Sequence, residues 1–384
     1  MSEFEKIGIS AQLAAGLVKI KIEVPTGIQA KVIPLSLAGR DIIGQSATGT
    51  GKTLAYLLPL FQKIDVSKRE MQAMILAPTH ELAIQIQRQI ETLSLNTGVA
   101  VTSAPIIGNV NISRQIDKLK EKPHVIVGSS GRILELIQKK KITSQTIKTI
   151  IIDEADRLLD DKNVDSVKAV LKTTLKERQI LMFSATITPN TLRIAKEIMR
   201  DPEVITIAED SNGRPDISHM YFVAEQRDKI EVIRKMVRLV DAKRALVFIN
   251  KSDDIEETTE KLVYHGLKAA SIHGSSVKGD RKKSLEDFRK GKVQLLVASD
   301  VAARGLDIVG IDYVFNLDLP EDPQVYLHRV GRTGRAGESG IAISIITKQE
   351  VSLIRKYEKI LKINIAAKQM EHGKIVDKNK VHRK

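Results

Sequence analysis

Ile150-Ile151-Ile152-Asp153-Glu154-Ala155-Asp156 is a β-branched run that ends on a cluster of carboxylates. It reads as a strand of a parallel α/β sheet with an acidic turn at its carboxyl end. Upstream, Ser46-Ala47-Thr48-Gly49-Thr50-Gly51-Lys52-Thr53 forms a glycine-rich loop leading into a helical pattern. Such a loop exposes backbone N–H groups at a helix N-terminus, where they can cradle phosphates. The spacing places Lys52 at the β- and γ-phosphates and the Thr53 hydroxyl on Mg2+. Asp153 supplies a second Mg2+ contact, and the adjacent Glu154 can polarise an attacking water. The two stretches are the halves of a site that hydrolyses ATP or a close relative, with Mg2+ as cofactor. Ser46 stands where Gly or Ala is usual, and it is small enough for the tight turn.

Composition sets the limits. A chain of 384 residues is long for one core, so two domains are expected. No apolar run approaches the length that spans a bilayer, and Met1–Lys6 lacks the basic and apolar regions of a secretory signal. The absence of cysteine excludes disulfides, thiolate metal sites and cysteine nucleophiles, and it fits a cytoplasmic protein. A net charge of +14 points to a polyanionic partner. Aromatic residues make up only 3% and tryptophan is absent, which argues against binding by base stacking. A nucleic acid would be held by its sugar-phosphate backbone, with steep salt dependence and little sequence preference.

Short β-branched runs at 72–77, 99–106, 124–128, 148–153, 179–184 and 203–207 alternate with helical patterns such as 52–63, 80–93 and 189–199. That alternation predicts right-handed crossovers and a parallel sheet covered on both faces. Residues 208–216 are polar and rich in turn formers, which predicts a linker. The alternation restarts at 218–224, 244–249, 268–272, 293–297, 312–316 and 340–346, in a lobe with no phosphate loop of its own. Residues 364–384 read as a basic tail, either a solvated end or an extension that touches nucleic acid.

His328-Arg329-Val330-Gly331-Arg332-Thr333-Gly334-Arg335-Ala336-Gly337 is a dense arginine–glycine run. Arginine offers planar forks of donors that suit phosphate oxygens, and glycine permits close backbone approach. Set across a cleft from the phosphate loop, Arg332 and Arg335 could stabilise the transferring phosphoryl group, an effect of about 10³–10⁵ in rate. The plainer alternative is an exposed basic turn.

With these residues in view, the chain resembles the DEAD-box ATP-dependent RNA helicases of superfamily 2, from Phe4 to about Leu361. Phe4 followed by Pro25-Thr26-Gly27-Ile28-Gln29 resembles the adenine-reading Q motif. Pro78-Thr79-His80-Glu81-Leu82-Ala83, Gly108-Asn109 and Ser129-Ser130-Gly131-Arg132 resemble three RNA-facing motifs of the first lobe. Ser184-Ala185-Thr186 resembles the SAT motif. Leu246–Asn250, His273 through Arg281, Val297–Asp307 and the arginine run resemble the motifs of the second lobe.

The resemblance implies two tandem RecA-like α/β domains, at 1–207 and 217–363, with ATP between them in an open and mobile apo protein. It implies that Phe4, Gln29, Thr48, Gly49, Thr50, Gly51, Lys52 and Thr53 bind nucleotide and that Asp307 holds the ribose. Lys52, Asp153, Glu154, Arg332 and Arg335 become the catalytic set. Asp156, Ser184, Thr186, Arg304 and His328 couple ATP to RNA. Pro78, Thr79, His80, Gly108, Ser129, Gly131, Arg132, Arg281 and Ser299 contact RNA. ATP and RNA would each promote the other's binding.

Several positions depart from the family. Ile22 stands where an aromatic usually stacks on adenine, which implies weaker nucleotide affinity or selectivity. His80, Asn109, Ser129-Ser130, Lys278 and Ser299 replace Arg, Gly, Thr-Pro, Gln and Thr. A neutral histidine is a poorer phosphate ligand than arginine, so RNA binding is expected to be weakened or tuned to one site. Two further readings remain open, an ATP-gated RNA clamp or assembly scaffold and, less in keeping with Gln29, a DNA translocase. Short family members resemble bacterial proteins of ribosome assembly or RNA turnover, with ribosomal or RNA-processing partners. Nothing in the chain suggests a dimerisation element, so a monomer is expected.

Overall fold

The computed structural model describes residues 1–46, 49–108, 112–161, 163–207, 217–251, 253–273, 278–303, 310–334 and 339–378. The chain divides into two compact units, Met1–Asp210 and Ser211–Lys384. The expected linker 208–216 lies outside the described residues.

The first unit contains β1 Ile42–Gln45, β2 Ala73–Leu76, β3 Ser103–Ile106, β4 Val125–Gly128, β5 Thr149–Asp153, β6 Gln179–Ser184 and β7 Glu203–Thr206. They lie in the order β3-β4-β2-β5-β6-β1-β7, and every pairing is parallel. Six of these strands fall on the expected runs. β1 is additional, because a four-residue run interrupted by Gly44 shows little alternation. Gly44 has a packing reason: a Cβ there would lie 2.7 Å from the Phe183 ring on β6.

Side chains of alternate residues on β5 enter two separate cores. Ile151 packs on one face with helices Lys52–Lys63 and His80–Thr97. Ile150 and Ile152 pack on the other with helices Ser130–Gln138 and Val164–Lys172. The helix His80–Thr97 starts where the Thr79 hydroxyl accepts from Leu82 N–H at 3.2 Å and stops at Gly98, with φ of 70°.

The second unit contains β8 Ile217–Val223, β9 Ala245–Phe248, β10 Ala269–Ile272, β11 Leu295–Ala298, β12 Tyr313–Asn316, β13 Gly340–Ile346, β14 Ala366–Glu371 and β15 Lys374–Asp377. Their order is β10-β11-β9-β12-β13-β8-β14-β15, parallel throughout except for the antiparallel β14–β15 pair. The last two strands correct the expectation of a basic tail from 364. His372 and Gly373 both take positive φ, 48° and 72°, forming a tight hairpin turn that reverses the chain. Met370 and Ile375 pack on the second unit's core, and Lys368 pairs with Asp377 at 2.6 Å. The hairpin was hidden by its lysines, which break the alternation: Lys368 shares the face of Met370, and Lys374 lies on the opposite one. Among the described residues, no helix is long and apolar enough to cross a membrane.

The hairpin's role can be checked by truncation. Ending the chain after Asn364 should expose the β8 edge and lower the second unit's melting transition by roughly 5 °C or more in scanning calorimetry. Ending it after Lys378 should leave that transition in place.

Candidate active site

In a parallel sheet every strand delivers its carboxyl end to the same edge. In the first unit β5, β6 and β1 are neighbours, with Asp153 opposite Phe183 and Gln45 opposite Ser184. The phosphate loop, the acidic turn and the Ser184 turn therefore leave the sheet side by side.

The loop is shaped by two left-handed glycines, Gly49 with φ of 86° and Gly51 with φ of 92°. Gly51 precedes the helix Lys52–Lys63, and a Cβ there would lie 2.4 Å from the Gln29 amide nitrogen. Within the loop the Ser46 and Thr50 hydroxyls meet at 2.5 Å. Lys52 Nζ donates to the Ser46 carbonyl at 2.6 Å. Burial lowers the proton affinity of Lys52, while Asp153, Glu154 and Asp156 oppose that shift. Thr48 lies outside the described residues.

Asp153 is only 4% exposed. Burial, with repulsion from Glu154, pushes its carboxyl up to about 6, against the pull of Lys52, the Tyr56 hydroxyl and the Glu154 N–H. Oδ1 accepts from the Glu154 N–H at 2.9 Å and Oδ2 from the Tyr56 hydroxyl at 2.9 Å. Glu154 takes the left-handed conformation, φ 51° and ψ 55°, which is unusual for a residue with a side chain. Its Oε2 is buried and lies 3.8 Å from Arg157 Nη1, an ion pair too long for a hydrogen bond. A buried carboxylate, the Glu154 carboxylate beside it and the Thr53 hydroxyl form an all-oxygen set. Mg2+ commonly takes one or two carboxylates and completes its shell from water and phosphate, so the set suits that ion.

Three of the residues expected to couple ATP to RNA also meet. The Ser184 hydroxyl donates to Asp156 Oδ1 at 2.8 Å and accepts from the backbone N–H groups of Asp156 and Thr186, each at 3.3 Å. Burial pushes the Asp156 carboxyl up, and the bond from Ser184 pulls it back.

One of the expected nucleotide contacts needs correction, and a second is partly engaged within the fold. Phe4 is 1% exposed and packs in the core, so its ring offers no face to a base. Gln29 is buried and already engaged: Oε1 accepts from Thr26 N–H at 2.9 Å, and Nε2 donates to the Gly51 carbonyl at 3.1 Å. A primary amide keeps one more lone pair and one more hydrogen for an adenine edge. Ile22 packs against the same core.

The expected RNA residues of this unit follow β2, β3 and β4, on the other half of the same edge. A Cβ on Gly108 would sit 3.2 Å from His80 Nε2, so these two positions converge. Pro78 and Thr79 form the turn before the helix His80–Thr97. Ser129 precedes the helix Ser130–Gln138, while Ser130 turns inward onto the Ser166 hydroxyl at 2.6 Å. Gly131 is open on its outer side, and Arg132 pairs with Glu135 at 3.2 Å. Asn109 lies outside the described residues.

In the second unit Arg329 is the organising side chain. It is 1% exposed and lies over the Phe248 ring at 5.2 Å. It binds both Asp300 oxygens at 2.6 and 2.7 Å, the Asp318 carbonyl at 2.6 Å and Asn250 Oδ1 at 2.7 Å. One guanidinium thus ties together the segments that follow β9, β11 and β12. His328 shares its helix, Pro323–Val330, and Arg332 begins the turn beyond, its N–H bonded to the Arg329 carbonyl at 3.1 Å. Arg281 donates to the Ala302 carbonyl at 3.0 Å. Ser299 is 4% exposed, which leaves its hydroxyl turned from solvent. Arg304, Asp307, Arg335 and the side chain of Lys278 lie outside the described residues.

Sequence reasoning missed Tyr56 and Arg329. Tyr56 looks like one more apolar residue on a helix face, and Arg329 looks like one more phosphate ligand in an arginine-rich run.

Fold and site define a class: a parallel α/β nucleotide hydrolase with a second α/β unit that carries arginines. Comparison with known proteins narrows it. The family model described as DEAD/DEAH box helicase matches residues 26–194, and that of the helicase conserved C-terminal domain matches 228–337. The chain is 39% identical to the DEAD-box ATP-dependent RNA helicase CshC of Bacillus cereus, covering 92% of this chain and 90% of that one. It is also 39% identical to the probable ATP-dependent RNA helicase YfmL of Bacillus subtilis, over 92% and 93% of the two chains. Among solved structures, S. cerevisiae Dbp5 bound to RNA and ADP BeF3 matches with a TM-score of 0.85 at 30% identity, covering 96% of this chain and 95% of that one. The chain belongs to the DEAD-box ATP-dependent RNA helicases, and its two units are the tandem RecA-like domains of that family.

Two predictions follow from the buried charges. The Asp153 carboxyl is raised in the fold, from 3.8 to about 6. Its stabilising contribution is therefore complete below pH 4 and lost as pH rises through 6. Without metal or nucleotide, Asp153→Asn should melt higher than the parent at pH 7.5, by about 2–3 kcal/mol in free energy, and the difference should vanish near pH 4. Arg329→Ala takes the donor from the half-buried Asp300, the Asp318 carbonyl and Asn250, so it should destabilise the second unit by about 3–5 kcal/mol in urea titration.

Proposed function

We propose that this chain is an RNA-dependent ATPase that separates short RNA duplexes locally, using ATP binding and hydrolysis. The observation that carries this reading is the shared edge of the first sheet. Phosphate loop, acidic turn and Ser184 turn occupy one half of it, and the RNA-facing turns occupy the other.

In this reading the N–H groups of Thr48, Gly49, Thr50 and Gly51, with Lys52, hold the β- and γ-phosphates, and Gln29 reads adenine. Lys52 must exchange its bond to the Ser46 carbonyl for phosphate oxygen. Thr53 and Asp153 hold Mg2+, which when bound neutralises charge on the phosphates. Glu154, faced by Arg157 at 3.8 Å, polarises the attacking water. Arg332 and Arg335 stabilise the transferring phosphoryl group, and Asp307 holds the ribose.

Coupling runs through Ser184. Because one hydroxyl bonds Asp156 and the Thr186 N–H, a shift of the acidic turn moves the SAT turn with it. His328 and Arg304 serve the same coupling from the second unit. RNA lies along the turns at Pro78, Thr79, His80, Gly108, Ser129, Gly131 and Arg132, with Arg281 and Ser299 from the second unit. Helix N-termini at His80 and Ser130 suit phosphates, which gives salt-sensitive binding with little sequence preference.

The ATP-gated RNA clamp keeps some weight from two observations. His80 replaces a permanent cation beside Gly108, and Arg132 is already paired with Glu135. Both reduce the positive charge offered to phosphate. The protein acts as a cytoplasmic monomer on ribosomal or turning-over RNA.

The test is ATP hydrolysis with and without single-stranded RNA and single-stranded DNA, alongside unwinding of a short duplex. Stimulation by RNA over DNA, lost in Glu154→Gln by about 10²-fold or more, and unwinding of the duplex are the expected results. RNA-stimulated hydrolysis without strand separation would favour the clamp. No hydrolysis under any condition would overturn the enzyme assignment.

A further inference from the structure

Tyr56 is 0% exposed, on the buried face of the helix Lys52–Lys63, one turn after Thr53. Its ring packs on Phe183 with centroids 5.3 Å apart. Burying a phenol requires a partner for its hydroxyl, and the partner here is Asp153 Oδ2 at 2.9 Å. Tyr56 therefore joins Asp153 to the helix that begins with Lys52 and Thr53, and Thr53 and Asp153 are the two residues assigned above to Mg2+.

We infer that Tyr56 is a positioning residue for the Mg2+ site. Its hydroxyl donates to Asp153 Oδ2 while the Glu154 N–H donates to Oδ1, so the carboxylate is held at both oxygens. A carboxylate oxygen accepts more than one hydrogen bond, so each keeps lone-pair capacity for a metal-bound water. The phenol is the donor of its bond to Asp153, because a carboxylate has no hydrogen to give. Phenylalanine would fill the same core space without the bridge. The hydroxyl is thus a feature that the packing alone does not require.

The inference rests on the assignment of Thr53 and Asp153 to Mg2+, and the test separates the two. Binding of a fluorescent ADP is measured against Mg2+ concentration for the parent, Tyr56→Phe and Asp153→Asn, with ATPase and melting temperature followed in parallel. Partners in the outer shell of a metal site are commonly worth about 10–100-fold in metal affinity. Here Tyr56 is one of two donors to the carboxylate, so Tyr56→Phe should raise the Mg2+ midpoint by about three- to tenfold. ATPase should recover most of the parent kcat at saturating Mg2+. Asp153→Asn should raise the midpoint further. An Asp153→Asn midpoint equal to the parent's would overturn the metal assignment, and the inference with it. If Asp153→Asn shifts the midpoint while Tyr56→Phe does not, the inference alone fails. A lower melting temperature with an unchanged midpoint would make Tyr56 a core residue only.

Discussion

The parallel pairing of β5, β6 and β1 is the constraint from which the site follows. Three strands running the same way deliver Asp153, Ser184 and Ser46 to one edge, whatever the helices between them do. Chemistry then depends on what each strand ends in. β1 ends in a loop whose glycines permit left-handed turns, β5 in carboxylates, and β6 in a serine whose one hydroxyl reads the carboxylate turn. Moving β5 by one residue would exchange its two isoleucine faces and turn Asp153 away from the edge. The core and the site are therefore set by the same register.

The same constraint divides labour along the edge. β5, β6 and β1 are neighbours, and β3, β4 and β2 are neighbours, so the residues proposed for phosphate chemistry and those proposed for RNA contact fall on two contiguous halves of one sheet. The Asp156–Ser184 bond belongs to the phosphate half. The second unit uses a different device. There Arg329 gathers Asp300, Asp318 and Asn250, so its loops are held by one buried cation and its bonded acceptors. Burying such a charge is tolerable because each guanidinium nitrogen meets an acceptor and the group lies over the Phe248 ring.

Much of this was legible in the sequence, for physical reasons. Strands buried on both faces must be apolar throughout, so runs such as Ile150–Ile152 stand out. A phosphate loop needs glycine at fixed offsets, so Gly49 and Gly51 stand out as well. β1 was not legible, because Gly44 serves the packing of Phe183 and breaks the strand pattern. The β14–β15 hairpin was masked by a lysine-rich composition that suggested a solvated tail, although His372-Gly373 between two alternating runs was a turn signal. Phe4 illustrates the opposite failure. Its motif position suggested a ligand contact, yet a lone aromatic near a chain of apolar residues buries itself first. Tyr56 and Arg329 were invisible because their roles depend on what lies across the fold. No local pattern tells a bridging phenol from a packing ring.

Glu154 shows how the fold concentrates strain where chemistry needs it. A left-handed backbone on a residue with a side chain costs about 1–3 kcal/mol. Here it buys a specific geometry: the chain turns sharply between β5 and the helix Ala155–Leu158, and the Glu154 N–H folds back onto Asp153 Oδ1. That bond steadies one carboxylate, and the same turn sets the other's Oε2 3.8 Å from Arg157 Nη1, too far for a hydrogen bond. The strain is sustained by the surrounding packing, since Ala155 and Leu158 are both buried in the core. One turn thus fixes Asp153 by a hydrogen bond and places Glu154 beside a cation without bonding it closely. The Glu154 charge is balanced while its oxygens keep the capacity to accept.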